Sequence, residues 1–305
     1  MMTLRSILCP VDFSEPSQHA LRSAVAIAAQ YKSRLTVFTA VDPLLAHAAE
    51  ARFSQDLAKD TETALREFVS AATPGAAAWA PPVGIDVQVG EASELIVDAA
   101  ARQQADLVVM GTHGLGGFRK LLLGSTTERV LRRTQTPLLA VPLTQPQLVV
   151  IDPSGPRFAT KTIVAATDFS EAAAAAVRCG SALAEERTAP FILVHVVAPV
   201  TVAARWQSYL EGVNDERMSQ ARSGLESVAA GLHTRQPPDL VVVLGPAAEA
   251  IAETAQQRDA GLIVMGLSGE QGAFAPRPGT IAYRVLCLAH VPVLVVPAGA
   301  GVSSS

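Results

Sequence analysis

The chain repeats itself, and this duplication constrains the architecture more than any other feature of the sequence. The segment ILCPVDFSE at residues 7–15 returns as IVAATDFSE at residues 163–171. Further along, DLVVMG at residues 106–111 returns as GLIVMG at residues 261–266. Matching residues lie 156 positions apart in the first pair and 155 positions apart in the second. This nearly constant spacing indicates two copies of one domain in tandem.

The composition allows two well-packed domains of ordinary size. The chain has 305 residues, of which 49% are hydrophobic and 17% are charged, so each copy can bury a core. The limits of the repeats predict domain one at residues 1–143, a linker at 144–160, domain two at 161–298 and a polar tail at 299–305. The linker contains a short apolar run at residues 148–151, for which the sequence assigns no partner.

Apolar runs alternate with helix-like segments within each copy. In the first copy, residues 6–11, 35–41 and 107–110 are predominantly apolar, which is typical of parallel strands covered on both faces. Ser14 is suited to cap the first helix, and residues 46–72 predict one long amphipathic helix. The alternation predicts an α/β fold with two tandem, doubly wound parallel sheets of five strands each, similar to the Rossmann fold.

A glycine motif follows the fourth predicted strand in both copies. It reads G-x2-G-x9-G-[S/T], starting at Gly111 and again at Gly266. A buried strand, a glycine-rich turn and a helix N-terminus suit an anion, because free backbone N–H groups and the positive end of the helix dipole point at one place. Asp12 follows the first predicted strand. If strands one and four are neighbours where the strand order reverses, the carboxylate and the glycine loop share a crevice that suits a nucleotide.

Each of these residues also has a purely structural interpretation. Asp12 is suited to cap the first helix or its turn. Ser125 and Glu128 form the S-x-x-E pattern of a capping box, which accounts for Ser125 without a ligand. Gly111 and Gly114 are compatible with ordinary turns. The repetition of the whole motif favours a ligand site, but these residues by themselves leave both interpretations open.

Composition and motifs argue against several classes of function. The net charge of −4 disfavours a nucleic-acid-binding surface. No apolar run reaches the roughly 20 residues of a membrane span, and Asp12 falls where an export signal needs apolar residues. Three cysteines at unrelated spacings disfavour a disulfide framework or a zinc site and fit a reducing cytoplasm. The motifs G-x-S-x-G, H-E-x-x-H and G-x-x-x-x-G-K-[ST] do not occur, so no catalytic site is predicted.

Taken together, these motifs resemble those of tandem-domain universal stress proteins. The resemblance rests on the glycine motif, on the P-x-D-F-S pattern around Asp12 and on the P-x-L-x-V-P strand that closes each copy. It implies the strand order 3-2-1-4-5 in each domain. It also implies that the two domains pair through their fifth strands, at residues 138–141 and 293–296, whose edges would otherwise stay unpaired. A further homodimer of whole chains is compatible with the sequence.

The resemblance also implies ATP, with or without Mg²⁺, as the ligand. Adenine would lie near the aspartate and the end of strand two, with the ribose and phosphates on the glycine motif. The implied binding residues of the first copy are Asp12, Val41, Met110, Gly111, Gly114, Gly124, Ser125 and Thr126. Those of the second copy are Asp168, Val197, Met265, Gly266, Gly269, Gly279 and Thr280.

The two copies differ in the segment that would hold the phosphates. The second copy lacks the pair Arg119 and Lys120 of the first and keeps only Arg277, and it contains Glu270, a residue that repels phosphate. Pro276 and Pro278 of the second copy lack N–H donors. We therefore expect the first domain to bind ATP tightly and the second to bind it weakly or not at all, although the retained aspartate and glycines leave two-site binding open.

These features support a nucleotide-dependent stress-response module with little or no turnover. The alternative of a slow ATPase or an adenylyl transferase would need a pyrophosphate-cleaving loop such as S-G-G-x-D-S after strand one, and residues 11–14 read VDFS instead. A scaffold that binds no nucleotide is the third hypothesis, in which the glycines serve only the turns. Identification of nucleotide bound to the native protein would separate the first hypothesis from the third.

Overall fold

A computed structural model describes residues 3–53, 56–74, 81–112, 123–143, 149–152, 155–158, 161–200, 212–267 and 280–299. The chain divides into two compact units, Thr3–Ala159 and Thr160–Ser305, which correspond to the two copies of the repeat. In the described part of the chain, no helix has both the length and the apolar character that crossing a membrane requires.

Both units alternate strands and helices in the predicted manner. The first unit contains β1 (Ser6–Pro10), α1 (Glu15–Tyr31), β2 (Arg34–Val41), α2 (Pro43–Phe53), α3 (Leu57–Ala72), β3 (Val83–Val89), α4 (Ala92–Arg102), β4 (Leu107–Gly111), α5 (Ser125–Arg133), β5 (Leu138–Val141), β6 (Val149–Asp152) and β7 (Gly155–Phe158). The described elements of the second unit are β8 (Thr162–Ala166), α6 (Glu171–Arg187), β9 (Phe191–Val197), α7 (Val213–Ala230), β10 (Asp239–Leu244), α8 (Ala247–Gln257), β11 (Ala260–Gly266), α9 (Thr280–Leu288) and β12 (Val293–Val296).

Parallel strands in each unit follow the predicted topology. Their order is β3-β2-β1-β4-β5 in the first unit and β10-β9-β8-β11-β12 in the second, which confirms the order 3-2-1-4-5. Every residue of β1, β4 and β5 is buried, so these strands form part of the core. The order in which successive strands are added to the sheet reverses between β1 and β4, which pair directly and in parallel. A crevice is therefore expected at the carboxyl ends of these two strands.

The first helix of each unit begins and ends in the same way. The side chains of Ser14 and Ser170 cap α1 and α6, which confirms the capping role predicted for Ser14. At the other end, Lys32 (φ 54°) and Thr188 (φ 53°) adopt the left-handed conformation. The duplication is thus preserved down to the backbone angles that terminate these helices.

The prediction of one long helix over residues 46–72 is wrong. The structure places two helices, α2 and α3, in this region. Asp56 adopts a non-helical conformation (φ −82°, ψ 89°), and its side chain accepts hydrogen bonds from the N–H groups of Ala58 and Lys59. The carboxylate therefore begins a new helix, because a side chain that bonds to nearby backbone N–H groups competes with continuation of the preceding helix.

Residues 149–151 of the predicted apolar run pair within the segment predicted as a linker. Strand β6 pairs with β7 in an antiparallel hairpin, with Val149 opposite Phe158 and Asp152 opposite Gly155. The hairpin backbone lies beside α1. This segment therefore contains a local element of the first unit, whose partner strand was not evident because it includes glycine and proline.

Candidate functional site

Candidate residues of the first unit lie along one end of its sheet. Asp12 follows β1, Val41 ends β2 and Gly111 ends β4, and these three strands are neighbours. Because parallel strands place their carboxyl ends at the same edge, the three residues line that edge. Helix α5 begins at Ser125, and its cap residue Gly124 is hydrogen-bonded to the segment that leaves β4. The strand order thus brings the predicted acidic residue and the described part of the glycine motif to one edge of the sheet.

Val41 and Met110 are core residues at this edge. Only 6% of Val41 and 5% of Met110 is exposed, and the carbonyl oxygen of Val41 accepts a hydrogen bond from the N–H of Gly90 at 3.0 Å. A ligand at this edge would therefore meet mainly backbone atoms of these two residues.

The Asp12 carboxylate is held in a turn at the end of β1. Its Oδ1 accepts hydrogen bonds from the N–H of Ser14 at 3.1 Å and from the Ser14 hydroxyl at 2.5 Å. The Ser14 hydroxyl oxygen accepts in turn from the N–H of Ser17 at 3.3 Å. The turn-capping interpretation of Asp12 is therefore confirmed. The residue nevertheless remains exposed, and a positioned, exposed carboxylate can accept hydrogen bonds from hydroxyl or amino groups.

Gly111 is required by the packing of α1 and not by a turn. It is the last residue of β4, and a Cβ atom at this position would lie 2.9 Å from the carbonyl oxygen of Pro16. The backbone of the first turn of α1 thus lies directly against the end of β4. This close approach places the Asp12 turn and the start of the glycine loop side by side.

The predicted capping box at the start of α5 is wrong. Gly124, not Ser125, is the N-cap, and no side chain caps the helix. The Gly124 N–H donates to the carbonyl oxygen of Thr112 at 2.9 Å, while its own carbonyl accepts from the N–H of Glu128 at 2.9 Å, so the helix begins one residue earlier than the capping box requires. The N–H groups of the first turn have no intrahelical acceptor. They and the exposed Ser125 are therefore available to an anion.

A buried threonine anchors α5 to β4. Thr127 is 4% exposed, and its hydroxyl donates a hydrogen bond to the carbonyl oxygen of Gly111 at 3.0 Å. Together with the bond between Gly124 and Thr112, it ties both ends of the glycine loop to one place. The sequence did not indicate this role, because a threonine in the first turn of a helix has no distinctive pattern.

Charged residues around α5 are matched in pairs. Glu128, in the first turn, pairs with Arg132 at 2.9 Å, which offsets its repulsion of an anion. Arg129 pairs with Glu91 at 3.0 Å. Hydrogen bonding by the Ser93 hydroxyl, with further bonds from the Glu94 N–H and from Arg129, lowers the pKa of Glu91 to about 2. These acidic groups therefore do not leave an uncompensated negative charge beside the helix start.

Comparison with known proteins establishes the family. The model of the universal stress protein family matches residues 3–142 and 159–297. The chain belongs to the universal stress protein family. This result confirms the resemblance based on the glycine motif and the P-x-D-F-S pattern, and it places one family domain in each copy of the repeat.

Individual universal stress proteins match one half of the chain at a time. A protein of Methanocaldococcus jannaschii is 30% identical over 142 residues, which is 45% of this chain and 81% of that protein. One of Thermus aquaticus is 32% identical over 137 residues, or 45% of this chain and 98% of that protein. The crystal structure of an Archaeoglobus fulgidus universal stress protein matches 96% of this chain and 98% of its own, with a TM-score of 0.62 and 18% identity. That structure supports the fold alone.

The second family domain repeats part of this arrangement. Asp168 follows β8, Val197 ends β9 and Gly266 ends β11, after Met265. Asp168 is exposed, and its Oδ1 accepts from the N–H of Ser170 at 3.0 Å. A Cβ atom at Gly266 would lie 2.7 Å from the backbone of α6. The carboxylate turn and the close helix approach are therefore common to both halves.

The anchoring threonine is not repeated. Ala282 is buried in α9 at the position that Thr127 occupies in α5, and its methyl group cannot donate a hydrogen bond. The start of α9 therefore lacks the side-chain bond that joins α5 to the end of β4. This difference adds to those that the sequence shows in the glycine segment.

An aromatic residue next to each aspartate was missed by sequence reasoning. Phe13 (φ 63°) and Phe169 (φ 66°) both adopt the left-handed backbone conformation, which is unusual for a bulky residue. They remain 39% and 43% exposed. The P-x-D-F-S pattern could have drawn attention to this position, but it contains no signal for the backbone conformation.

Several predicted site residues lie outside the described part of the chain, namely Gly114, Gly269 and Gly279. The basic pair Arg119 and Lys120 of the glycine segment lies outside it as well. Thr280 begins α9, but its side chain is likewise outside the description. Among the described residues, no group of three or more His, Cys, Asp or Glu side chains could hold a metal ion.

Proposed function

We propose that the first half binds ATP at the carboxyl edge of β1, β2 and β4. One observation carries the proposal: the uncapped start of α5 lies beside the exposed Asp12 turn at the point where the strand order reverses. Backbone N–H groups and the positive end of the helix dipole suit phosphates. The Asp12 carboxylate suits donor groups of the ribose or the adenine. Each end of the crevice thus complements a different part of the same ligand.

The described residues supply donors for phosphate without a competing internal ligand. The first-turn N–H groups of α5 belong to Ser125, Thr126 and Thr127, and the first of these residues is exposed. Thr127 uses its hydroxyl to fix the geometry of the site. Where Mg²⁺ accompanies ATP, it would be held chiefly through the phosphate oxygens, because the described residues offer no carboxylate cluster for it.

We further propose that ATP binds the first half more tightly than the second. The second half keeps an aspartate turn and Gly266, but Ala282 replaces the anchoring Thr127. Its glycine segment contains Glu270, Pro276 and Pro278, and it keeps one basic residue, Arg277, in place of the pair Arg119 and Lys120. Fewer donors and an added negative charge both weaken phosphate binding.

Binding without rapid turnover fits the chemistry of the described crevice. Cys9 is fully buried in β1, and burial raises the pKa of its thiol far above the usual range, so it is not a nucleophile. The Asp12 carboxylate already holds the Ser14 hydroxyl. We therefore propose a stress-response module in which ATP occupancy changes the conformation or partner binding of the protein.

The test is to identify and count nucleotide on the untagged full-length chain. Native mass spectrometry should find ATP in the purified protein, and calorimetric titration of stripped protein should give one tight site per chain. Absence of binding would leave the nucleotide-free scaffold as the function. Steady-state phosphate release at roughly the enzyme median of 10 per second would show an enzyme instead.

A further inference from the structure

The two halves differ in the residues that contact the aromatic ring beside the strand-one aspartate. His195 on β9 stands at the position of Thr39 on β2, each two residues before the end of its strand. On the following helix, Gly224 of α7 stands at the position of Phe68 of α3. Each pair is separated by 156 residues, the spacing of the repeat. In the first half the helix carries the aromatic side chain, Phe68, whereas in the second half the strand carries it, His195.

His195 and Thr39 make the same contact with the chain. The Thr39 hydroxyl donates to the carbonyl oxygen of Val11 at 2.8 Å, and Nδ1 of His195 lies 2.8 Å from the carbonyl oxygen of Thr167. A carbonyl oxygen only accepts, so this contact assigns the hydrogen to Nδ1. In the neutral ring Nε2 is then an acceptor. Beside Asp168, His195 therefore adds a ring and an acceptor that Thr39 does not supply.

His195 also builds an aromatic surface in the second half. Its ring stacks on Phe169, with the centroids 4.5 Å apart and an angle of 28° between the planes. A Cβ atom at Gly224 would lie 2.8 Å from the Phe169 ring, so the glycine leaves room for this position of the ring. In the first half, Phe13 instead meets Phe68 edge-on at 5.4 Å and 70°. Since 43% of Phe169 is exposed, a further ring can pack against the stack.

Compared with the first half, the second half thus offers a larger aromatic surface for a planar ligand and fewer groups that favour phosphate. The stack lies next to the exposed Asp168, whose carboxylate is an acceptor. Ala282 has lost the anchoring hydroxyl, and Glu270 adds a negative charge to the glycine segment. A ligand suited to this combination is planar, carries N–H or O–H donors and has no triphosphate.

We propose that the second half binds a nucleoside, and that His195 determines this preference over a nucleoside triphosphate. The nucleobase packs on the stack of Phe169 and His195, and the donor groups of the ligand bond to Asp168 and to Nε2 of His195. The inference rests on the proposed function in one respect, because it takes the carboxyl edge of the sheet as the ligand site in both halves. The chain would then bind two different ligands, ATP in the first half and a nucleoside in the second.

The experiment follows the histidine ring signals by NMR in the untagged full-length protein, with adenosine and ATP as separate titrants. Comparison with His195→Thr assigns the signal of His195. Adenosine should shift this signal at a lower concentration than ATP does. His195→Thr, which copies the first half and keeps a donor for the Thr167 carbonyl, should weaken adenosine binding roughly tenfold. The tight ATP site of the first half should be unchanged.

Two further variants keep the test decisive. Phe169→Leu removes the stack without touching the contact between His195 and Thr167, and should also weaken adenosine binding. Thr39→His, the matched change in the first half, should not create a stack, because Phe68 already packs against Phe13.

If adenosine leaves the His195 signal unchanged while ATP binds the first half, the inference is wrong and the proposed function stands. The inference is also wrong if ATP shifts the His195 signal at the lower concentration. If neither ligand binds anywhere, both proposals are wrong.

Discussion

The hydroxyl of Thr127 donates a hydrogen bond of 3.0 Å to the carbonyl oxygen of Gly111. This bond joins the first turn of α5 to the last residue of β4, on either side of the glycine loop. A second bond, from the Gly124 N–H to the Thr112 carbonyl oxygen at 2.9 Å, runs beside it. The helix N-terminus is therefore fixed in position by the chain itself, before any ligand is bound.

Thr127→Val should loosen this attachment while preserving the shape of the side chain. Loss of a buried hydrogen bond costs about 1–2 kcal/mol, which corresponds to a fall of about 2–8 °C in the melting temperature of a domain of this size. ATP affinity should fall as well, because the N–H groups are less well positioned. Thr63→Val is the control, since Thr63 is exposed on α3 and its hydroxyl bonds only to its own helix. Equal melting temperatures for the two variants would contradict the anchoring role.

Gly111→Ala should destabilise the first half. The added Cβ would lie 2.9 Å from the carbonyl oxygen of Pro16, and this backbone atom cannot move without displacing α1. Overpacking of this kind costs about 1–3 kcal/mol. Gly84→Ala on β3 is the matched control, because its nearest neighbours would lie at an ordinary 3.5 Å. Chemical denaturation of both variants measures the difference, and a larger loss for Gly84→Ala would refute the packing argument.

Ser125→Asp should change stability and ligand binding in opposite directions. A carboxylate at the first position of α5 interacts favourably with the helix dipole and stabilises the fold by about 0.3–1 kcal/mol. The same charge repels phosphate, so ATP affinity should fall by more than tenfold. Ala247→Asp, at the first position of α8, should give the stability gain without the loss of ATP binding. A Ser125→Asp protein that binds ATP normally would show that the phosphates lie elsewhere.

The Glu91 carboxylate should contribute to acid stability. Hydrogen bonding by Ser93 and its other partners lowers the pKa of Glu91 in the folded protein to about 2, from an ordinary value of 4.5. Because the folded pKa is the lower one, this contribution is present above about pH 4.5 and is lost as the pH falls through about 2. The side chain is 41% exposed, so screening by solvent should keep the contribution below about 1 kcal/mol.

Glu91→Gln tests this contribution by denaturation between pH 7 and pH 2. The variant should be slightly less stable than the original protein at pH 7, and the difference should shrink towards pH 2. Thermal melts at several pH values would record the trend. A difference independent of pH would mean that the charge of Glu91 does not matter.

Some features of the fold and of the site followed from local patterns in the sequence. The duplication, the alternation of strands and helices and the Ser14 cap were predicted, because apolar spacing and capping residues act over a few positions. The family resemblance supplied the strand order. The single helix over residues 46–72 failed because Asp56 had a competing local role. The capping box at Ser125 failed for a different reason, since a bond from Gly124 to Thr112 set the helix start.

The sequence by itself determined that the chain is a tandem repeat of one α/β domain with a glycine motif after the fourth strand. Only the tertiary structure decided why Gly111 is glycine, what anchors α5, and that Phe169 stacks on His195 over Gly224. These contacts join segments that are far apart along the chain. Their geometry depends on how helices pack against the sheet, and residue spacing within one segment does not contain that information.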